Sequence, residues 1–134
     1  MEMKFLGLKY TKISVKKNPN FDGKITMNQN IKINSIEDYK QLDRKEESIK
    51  VSYKFEVSYG DLGNIELEGI LFLAMDSKLQ KQILKDFESK KADTEENVLI
   101  MNLIIQKSSI KAMELEEEMN LPIHVKLPSL QFKK

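Results

Sequence analysis

The chain of 134 residues has no cysteine and no tryptophan, and it has one histidine and one arginine. The lack of cysteine excludes disulfide bonds and thiolate metal sites, and it leaves the redox compartment open. A single histidine offers no constellation of the kind in which catalytic histidines act. Arg44 is the only arginine among 22 basic residues. Arginine is the residue that binds phosphate through two hydrogen bonds at once, so its scarcity argues against recognition of nucleic acids. These absences favour a protein that presents surfaces, so we expect neither enzymatic activity nor a cofactor.

Charge and hydropathy exclude further classes of protein. The net charge is +1, so no general attraction to nucleic acid or to an anionic membrane is expected. The content of 40% apolar and 32% charged residues is that of an ordinary globule. The first ten residues lack the apolar run of a signal peptide, and no stretch approaches the length of a membrane span. We therefore expect a cytoplasmic protein with a single domain over residues 1–134.

Alternating apolar and polar residues predict four strands in the first half of the chain. The third is the clearest, because its apolar and polar positions alternate without an error. In the first strand the alternation changes parity near Thr11 and Lys12, which predicts a β-bulge. Residues 60–64 have the composition of a hairpin turn, and residues 38–48 that of a loop. The predicted strands are residues 6–17, 24–34, 49–59 and 65–75.

Two helices are predicted to follow the strands. The first begins at Ser77, with Gln80 placed for a capping box. The second runs from Asp93 to about Asn120, where Pro122 follows, and it is roughly 40 Å long. Its first half, residues 98–105, is apolar on nearly all sides, but one small sheet covers only one side. A second copy of the chain is the simplest cover for the other side, and Ile104 would then lie at that interface.

The candidate functional residues also have simpler interpretations. His124 has no partner pattern in the sequence and is interpreted as an incidental residue of the tail. The acidic run at residues 114–118 is interpreted as a solvated helix face, because neighbouring helical residues point in different directions. The seven methionines suit either a core or an adaptable binding surface. Phe21 and Met27, in or beside a turn-rich crossover, are the best candidates for exposed apolar residues, and such residues often mark binding sites.

The chain resembles the SecB family of export chaperones. The resemblance spans about residues 3–132 and rests on the order and spacing of several motifs. They are Tyr10-Thr11-Lys12-Ile13-Ser14, Asn18-Pro19-Asn20-Phe21, Ile31-Lys32-Ile33, the long third strand with its hairpin and fourth strand, and the long helix leading into Asn120-Leu121-Pro122 and Leu127-Pro128-Ser129-Leu130-Gln131-Phe132.

The resemblance implies an α+β fold, in which a four-stranded antiparallel sheet is followed by two helices packed on one face. It also implies a tetramer, a dimer of dimers, with the long helices between the sheets. The acidic sheet surface that docks the SecA motor in the family resembles Glu66 and Glu68 flanking Leu67. The family holds non-native polypeptides in long apolar grooves. Met27 joins the predicted client-binding set through its place beside the crossover, and the resemblance supplies the other members: Phe21, Ile31, Ile33, Leu127, Leu130 and Phe132.

Two functions from different classes follow from these patterns. The first is a holdase for unfolded polypeptides, with protein export as one setting for it. It would be independent of ATP, since the sequence has no phosphate-binding loop. The second is a SecB-like protein dedicated to one partner, for example a chaperone that guards an antitoxin. Export members of the family continue with a further helix and a tail that contacts the motor, whereas this sequence ends at Lys134. We therefore expect a SecB-like chaperone outside the export route at least as strongly as an export chaperone.

Overall fold

A computed structural model describes residues 2–40, 45–91 and 93–125. Four strands come first along the chain and two helices follow them. The strands form one antiparallel sheet in the order β1-β4-β3-β2, which confirms the predicted fold class. The elements are β1 (Lys4–Lys17), β2 (Asn28–Asp38), β3 (Glu47–Ser58), β4 (Gly63–Met75), α1 (Ser77–Glu88) and α2 (Glu95–Met119).

Both edge strands contain irregularities that keep apolar side chains on the covered face. In β1 the pairing with β4 shifts between Tyr10 and Lys12, which confirms the bulge predicted there. Two further shifts were not predicted, one between Phe5 and Gly7 of β1 and one between Ile33 and Ser35 of β2. The shift in β2 lets the strand continue to Asp38, because a one-residue shift returns Ile36 to the covered face.

The second strand begins later than predicted. The alternation continues back to residue 24, but pairing with β3 starts only at Asn28. Ile25 and Met27 therefore lie in the crossover before the strand, and they are 41% and 39% exposed. Alternation alone does not distinguish a paired strand from an extended crossover, because both have side chains on opposite sides.

The core lies between the sheet and the helices. We call the covered side of the sheet the helix face and the opposite side the outer face. The long alternating strand β3 buries all its apolar residues on the helix face, and β4 matches it. The largest fully buried aliphatic and aromatic side chains of the two strands, with the residue that follows β3, are Ile49, Tyr53, Phe55, Tyr59, Ile65, Leu67, Leu71 and Leu73.

The helix caps differ by one residue from the predicted ones. Asp76 caps α1 by accepting a hydrogen bond from the backbone N–H of Leu79 at 2.8 Å. Gln80 does not complete a capping box, because its side-chain amide donates to Asp38 of β2 and to the backbone of β3. Thr94, and not Asp93, caps α2. The predicted end of α2 is confirmed, since Asn120 adopts the left-handed conformation with φ of 54°.

The buried residues of α2 recur at every fourth position, so they form one side of the helix. They are Ile100, Ile104, Ser108, Ala112 and Glu116, and Ser109 beside them is also buried. The prediction that Ile104 lies at an interface between copies was wrong, because this side chain is 1% exposed within its own chain. Only part of the apolar segment remains uncovered, notably Val98 and Leu99.

Candidate functional site: a half-covered edge strand

The site arises because α1 covers only half of β2. The helix starts at the end of the strand, where the Gln80 side chain donates to the Asp38 carboxylate at 2.7 Å. Farther along, Ile83 faces Ile36 across a small cavity. The helix has 12 residues and is about 18 Å long, whereas the 11 residues of β2 extend about 36 Å. The first half of β2 is therefore left open beyond the end of α1.

The open half of β2 forms one wall of a groove of about 560 Å³. The apolar lining comes from Ile31 and Ile33 of β2, Phe87 of α1 and Met101 of α2. Because β2 is an edge strand, its second row of backbone groups has no strand partner in the sheet. Such an edge can pair with an added extended segment. We call this site the β2 groove; its complete lining is Ile31, Lys32, Ile33, Phe87, Glu88, Lys90, Lys91, Asn97 and Met101.

The structure brings two of the predicted client-binding residues together in the β2 groove, Ile31 and Ile33. Phe21 is half-buried and packs against the main core, and neither it nor Met27 lines the groove. Both residues stay predictions as client contacts. The remaining members of the predicted set, Leu127, Leu130 and Phe132, lie outside the described residues.

Sequence reasoning missed the helical wall of the groove. Phe87 continues the helical spacing of Leu79 and Ile83 in α1, and Met101 lies within the apolar residues 98–105 of α2. Their patterns predict burial, but they carry no signal that α1 ends before it has covered β2. The lengths of the two elements could have shown this, because a strand rises more than twice as far per residue as a helix.

The predicted docking surface lies on the outer face and is not uniformly acidic. Lys12 donates a hydrogen bond to Glu66 at 2.9 Å, and Lys54 lies 3.9 Å away from it. The hydrogen bond from Lys12 lowers the pKa of the Glu66 carboxyl. Glu68 pairs in the sheet with Lys54 and Lys12 as neighbours. Leu67 was wrongly placed on this surface, because its side chain is fully buried on the helix face.

A buried polar cluster joins the residues after α2 to the sheet. The Glu116 carboxylate accepts hydrogen bonds from the Tyr59 hydroxyl and from the backbone N–H of His124. The His124 ring lies 2.9 Å from the carboxylate through Nδ1 and 3.2 Å from Ser109 Oγ through Nε2. We call Tyr59, Ser109, Glu116 and His124 the C-terminal latch.

The latch corrects two interpretations made from the sequence. His124 is not incidental and Glu116 is not solvated, since their side chains are 2% and 0% exposed. Burial and the hydrogen bond to Glu116 raise the pKa of the Tyr59 hydroxyl, which keeps it protonated as the donor. The single signal in the sequence was that Glu116 continues the four-residue spacing of Ile100, Ile104 and Ala112.

Chemical groups for other functions were sought in the same part of the chain. Within residues 2–40, 45–91 and 93–125, no three His, Cys, Asp or Glu residues are placed to hold a metal ion. No helix in these ranges is long and apolar enough to cross a membrane.

Comparison with known proteins identifies the architecture. No protein-family model and no curated protein matches this sequence. Among solved structures, the chain is similar to the Mycobacterium tuberculosis SecB-like chaperone Rv1957, determined in complex with a ChAD peptide from the HigA1 antitoxin Rv1956. The TM-score is 0.54 at 10% sequence identity, and the match covers 98% of this chain and 93% of that one. This chain has a SecB-like fold. At that identity the likeness establishes the SecB-like fold of the chain, and its sites must be argued from its own residues.

Proposed function

We propose that this protein is a SecB-like chaperone that binds an extended, non-native polypeptide segment in the β2 groove. The observation that carries the proposal is the open apolar half of the edge strand, walled by Ile31, Ile33, Phe87 and Met101. Side chains of a bound segment would enter this groove while its backbone pairs with the free edge of β2. The lining of apolar side chains and lysines favours binding over catalysis, and no nucleotide is required.

A chaperone dedicated to one client is favoured over a general chaperone for exported proteins. The structural neighbour was determined with a peptide from an antitoxin, which supports the same kind of partner for this chain. On the outer face, Lys12 and Lys54 offset the charge of Glu66, so the surface offers little net attraction to a motor that recognises acidic groups. A general holdase is the second candidate, because apolar grooves also accept unrelated unfolded segments.

The breadth of clients separates these two candidates. Aggregation of several unrelated unfolded enzymes should be measured by light scattering with and without the protein. A dedicated chaperone leaves them all to aggregate but binds one cognate segment, which a library of short peptides would reveal. A general holdase suppresses aggregation of most of them without ATP. If neither unfolded proteins nor peptides bind, the proposed function is wrong.

Substitutions in the groove connect binding to the site. Ile33→Asp and Met101→Asp should each weaken binding of a captured segment by about 1–2 kcal/mol, because each removes an apolar anchor. Ile25→Asp is the matched control, since Ile25 is an exposed apolar residue of the crossover that does not line the groove. Thermal melting checks that each variant is folded. Equal losses in all three variants would place the binding site elsewhere.

A further inference from the structure

The β2 groove has an unbalanced charge where α1 ends. Lys90 and Lys91 come shortly after the end of α1 and line the groove. Lys32 lies between the two isoleucines of β2, but strand alternation directs its side chain to the outer face. Glu88 is the only acidic residue in the lining. An apolar groove with two cations and one anion at its rim is complementary to a segment that is apolar and negatively charged.

The two lysines after α1 have fixed backbones and exposed side chains. The backbone N–H of Lys90 donates to the Phe87 carbonyl at 3.1 Å, and that of Lys91 donates to the Asp86 carbonyl at 2.9 Å. Lys90 has a left-handed conformation with φ of 59°, which turns the chain sharply at the helix end. Among the ion pairs of the described residues, none involves Lys90 or Lys91. Both ammonium groups are therefore available to a ligand.

We propose that the β2 groove selects client segments that carry carboxylates beside alternating apolar side chains. Ile31 and Ile33 lie two residues apart on the helix face, so they match apolar residues of an extended segment at every second position. Carboxylates at one end of that segment would pair with Lys90 and Lys91. The carbonyl groups at the C-terminus of α1 carry partial negative charge and repel an anion there. The lysine side chains must therefore supply the attraction to the carboxylates. This inference rests on the proposed function and specifies the client chemistry.

Three short fluorescent peptides test the inference by polarisation at low salt. Each has the same alternating leucines, with two Asp, two Asn or two Lys residues at one end. We expect the Asp peptide to bind about three- to tenfold more tightly than the Asn peptide, since two exposed ion pairs are formed. The Lys peptide should bind most weakly. Added salt should reduce the differences between the peptides.

Charge reversal provides the control for location. Lys90→Glu with Lys91→Glu should reverse the order of the three peptides. Lys78→Glu with Lys81→Glu makes the same change in net charge at exposed positions outside the groove, and it should preserve the order. If both double variants shift the order equally, net charge alone is responsible and the proposed selectivity is wrong. If the peptides bind equally well, the selectivity is wrong while the proposed function stands. Binding of none of the three would overturn the proposed selectivity, whereas the proposed function is tested by the peptide library and the aggregation assay.

Discussion

The C-terminal latch shows how single polar residues hold the end of this chain in place. Glu116 is buried completely, so its carboxyl oxygens require hydrogen-bond donors from within the protein. They come from the end of β3 through Tyr59 and from the residues after α2 through His124. The His124 ring also meets Phe55 edge to face, with centroids 6.0 Å apart. The latch thus couples the C-terminal segment to the core of the sheet.

Removing one member of the latch should destabilise the protein. His124→Ala takes a ring donor from the buried carboxylate, so the free energy of unfolding should fall by about 1–3 kcal/mol. Urea denaturation measures this, and Glu118→Ala is the control because its side chain is exposed and lies outside the latch. A double-mutant cycle with Tyr59→Phe should give a coupling of about 0.5–3 kcal/mol. Additive losses would show that the two residues act independently.

Tyr53 should make stability depend on alkaline pH. Burial raises its pKa from 10.0 to about 12, although the hydrogen bond with Ser108 opposes the shift. Above pH 10 the unfolded chain releases the phenolic proton while the folded chain keeps it, so stability falls as pH rises towards 12. Tyr53→Phe should make this fall less steep. It should also cost about 1 kcal/mol at neutral pH, because the Ser108 hydroxyl loses its 2.9 Å partner. An unchanged alkaline slope would contradict the assignment.

At the scale of elements, the β3–β4 hairpin depends on one glycine. Gly63 has φ of 150°, and a Cβ built there would lie 1.9 Å from the carbonyl oxygen of Lys16 in β1. The close approach joins the hairpin to β1, where Lys17 pairs with Gly63. The turn residues were correctly predicted from their composition. Their contact with β1 was not, because it depends on strands that are distant in sequence.

Gly63→Ala should therefore destabilise the sheet. The added methyl group would clash with the backbone of Lys16, and this backbone can move only if the pairing of β1 with β4 shifts. We therefore expect the free energy of unfolding to fall by about 2–4 kcal/mol. Gly7→Ala is the matched control, because a Cβ there meets nothing within 4 Å. Its effect should be within about 1 kcal/mol. Thermal and urea unfolding measure the stability of both variants. Equal effects would show that the backbone near Lys16 accommodates the methyl group at position 63 with little loss of stability.

The helices were predicted well in extent and less well in their contacts. The spacing of Leu79 and Ile83 marks α1, and Asn120 marks the end of α2, because capping and periodicity are local properties of the chain. The partners of Gln80 are not local, since Asp38 lies 42 residues away. The two predicted client-binding residues that line the β2 groove, Ile31 and Ile33, lie on a strand whose alternation is visible in the sequence. The opening above them depends on where α1 ends in space.

At the scale of the whole molecule, an apolar surface remains on α2. Ile110 is 61% exposed, and with Met113, Leu121 and Ile123 it lines a second groove of about 670 Å³. Val98 and Leu99 are exposed nearer the start of the helix. Exposed apolar surface of this kind often marks association between proteins. The oligomer, a tetramer built as a dimer of dimers, stays a prediction, and its expected interface moves from Ile104 to Ile110.

Ile110→Asp should weaken assembly without unfolding the chain. A carboxylate in an apolar interface is strongly unfavourable, whereas at an exposed helix position it costs little. Sedimentation equilibrium of the wild type should give a mass above the 15.6 kDa of one chain, and the variant should shift towards that mass. Gln82→Asp on the exposed side of α1 is the control and should leave the mass unchanged. A wild type that sediments as a monomer would refute the oligomer.

The sequence by itself determined the order and type of the elements, because alternation, turn composition and helix caps act over a few residues. It also determined that β3 would be buried on one face, and its resemblance to the SecB family indicated the fold. Only the tertiary structure decided which apolar residues are covered. Ile104 and Leu67 are buried while Ile110 is exposed, and Glu116 and His124 meet in the core. These outcomes depend on which side of α2 packs against the sheet and on how far α1 extends along β2, and both are decided by packing between residues far apart in the chain.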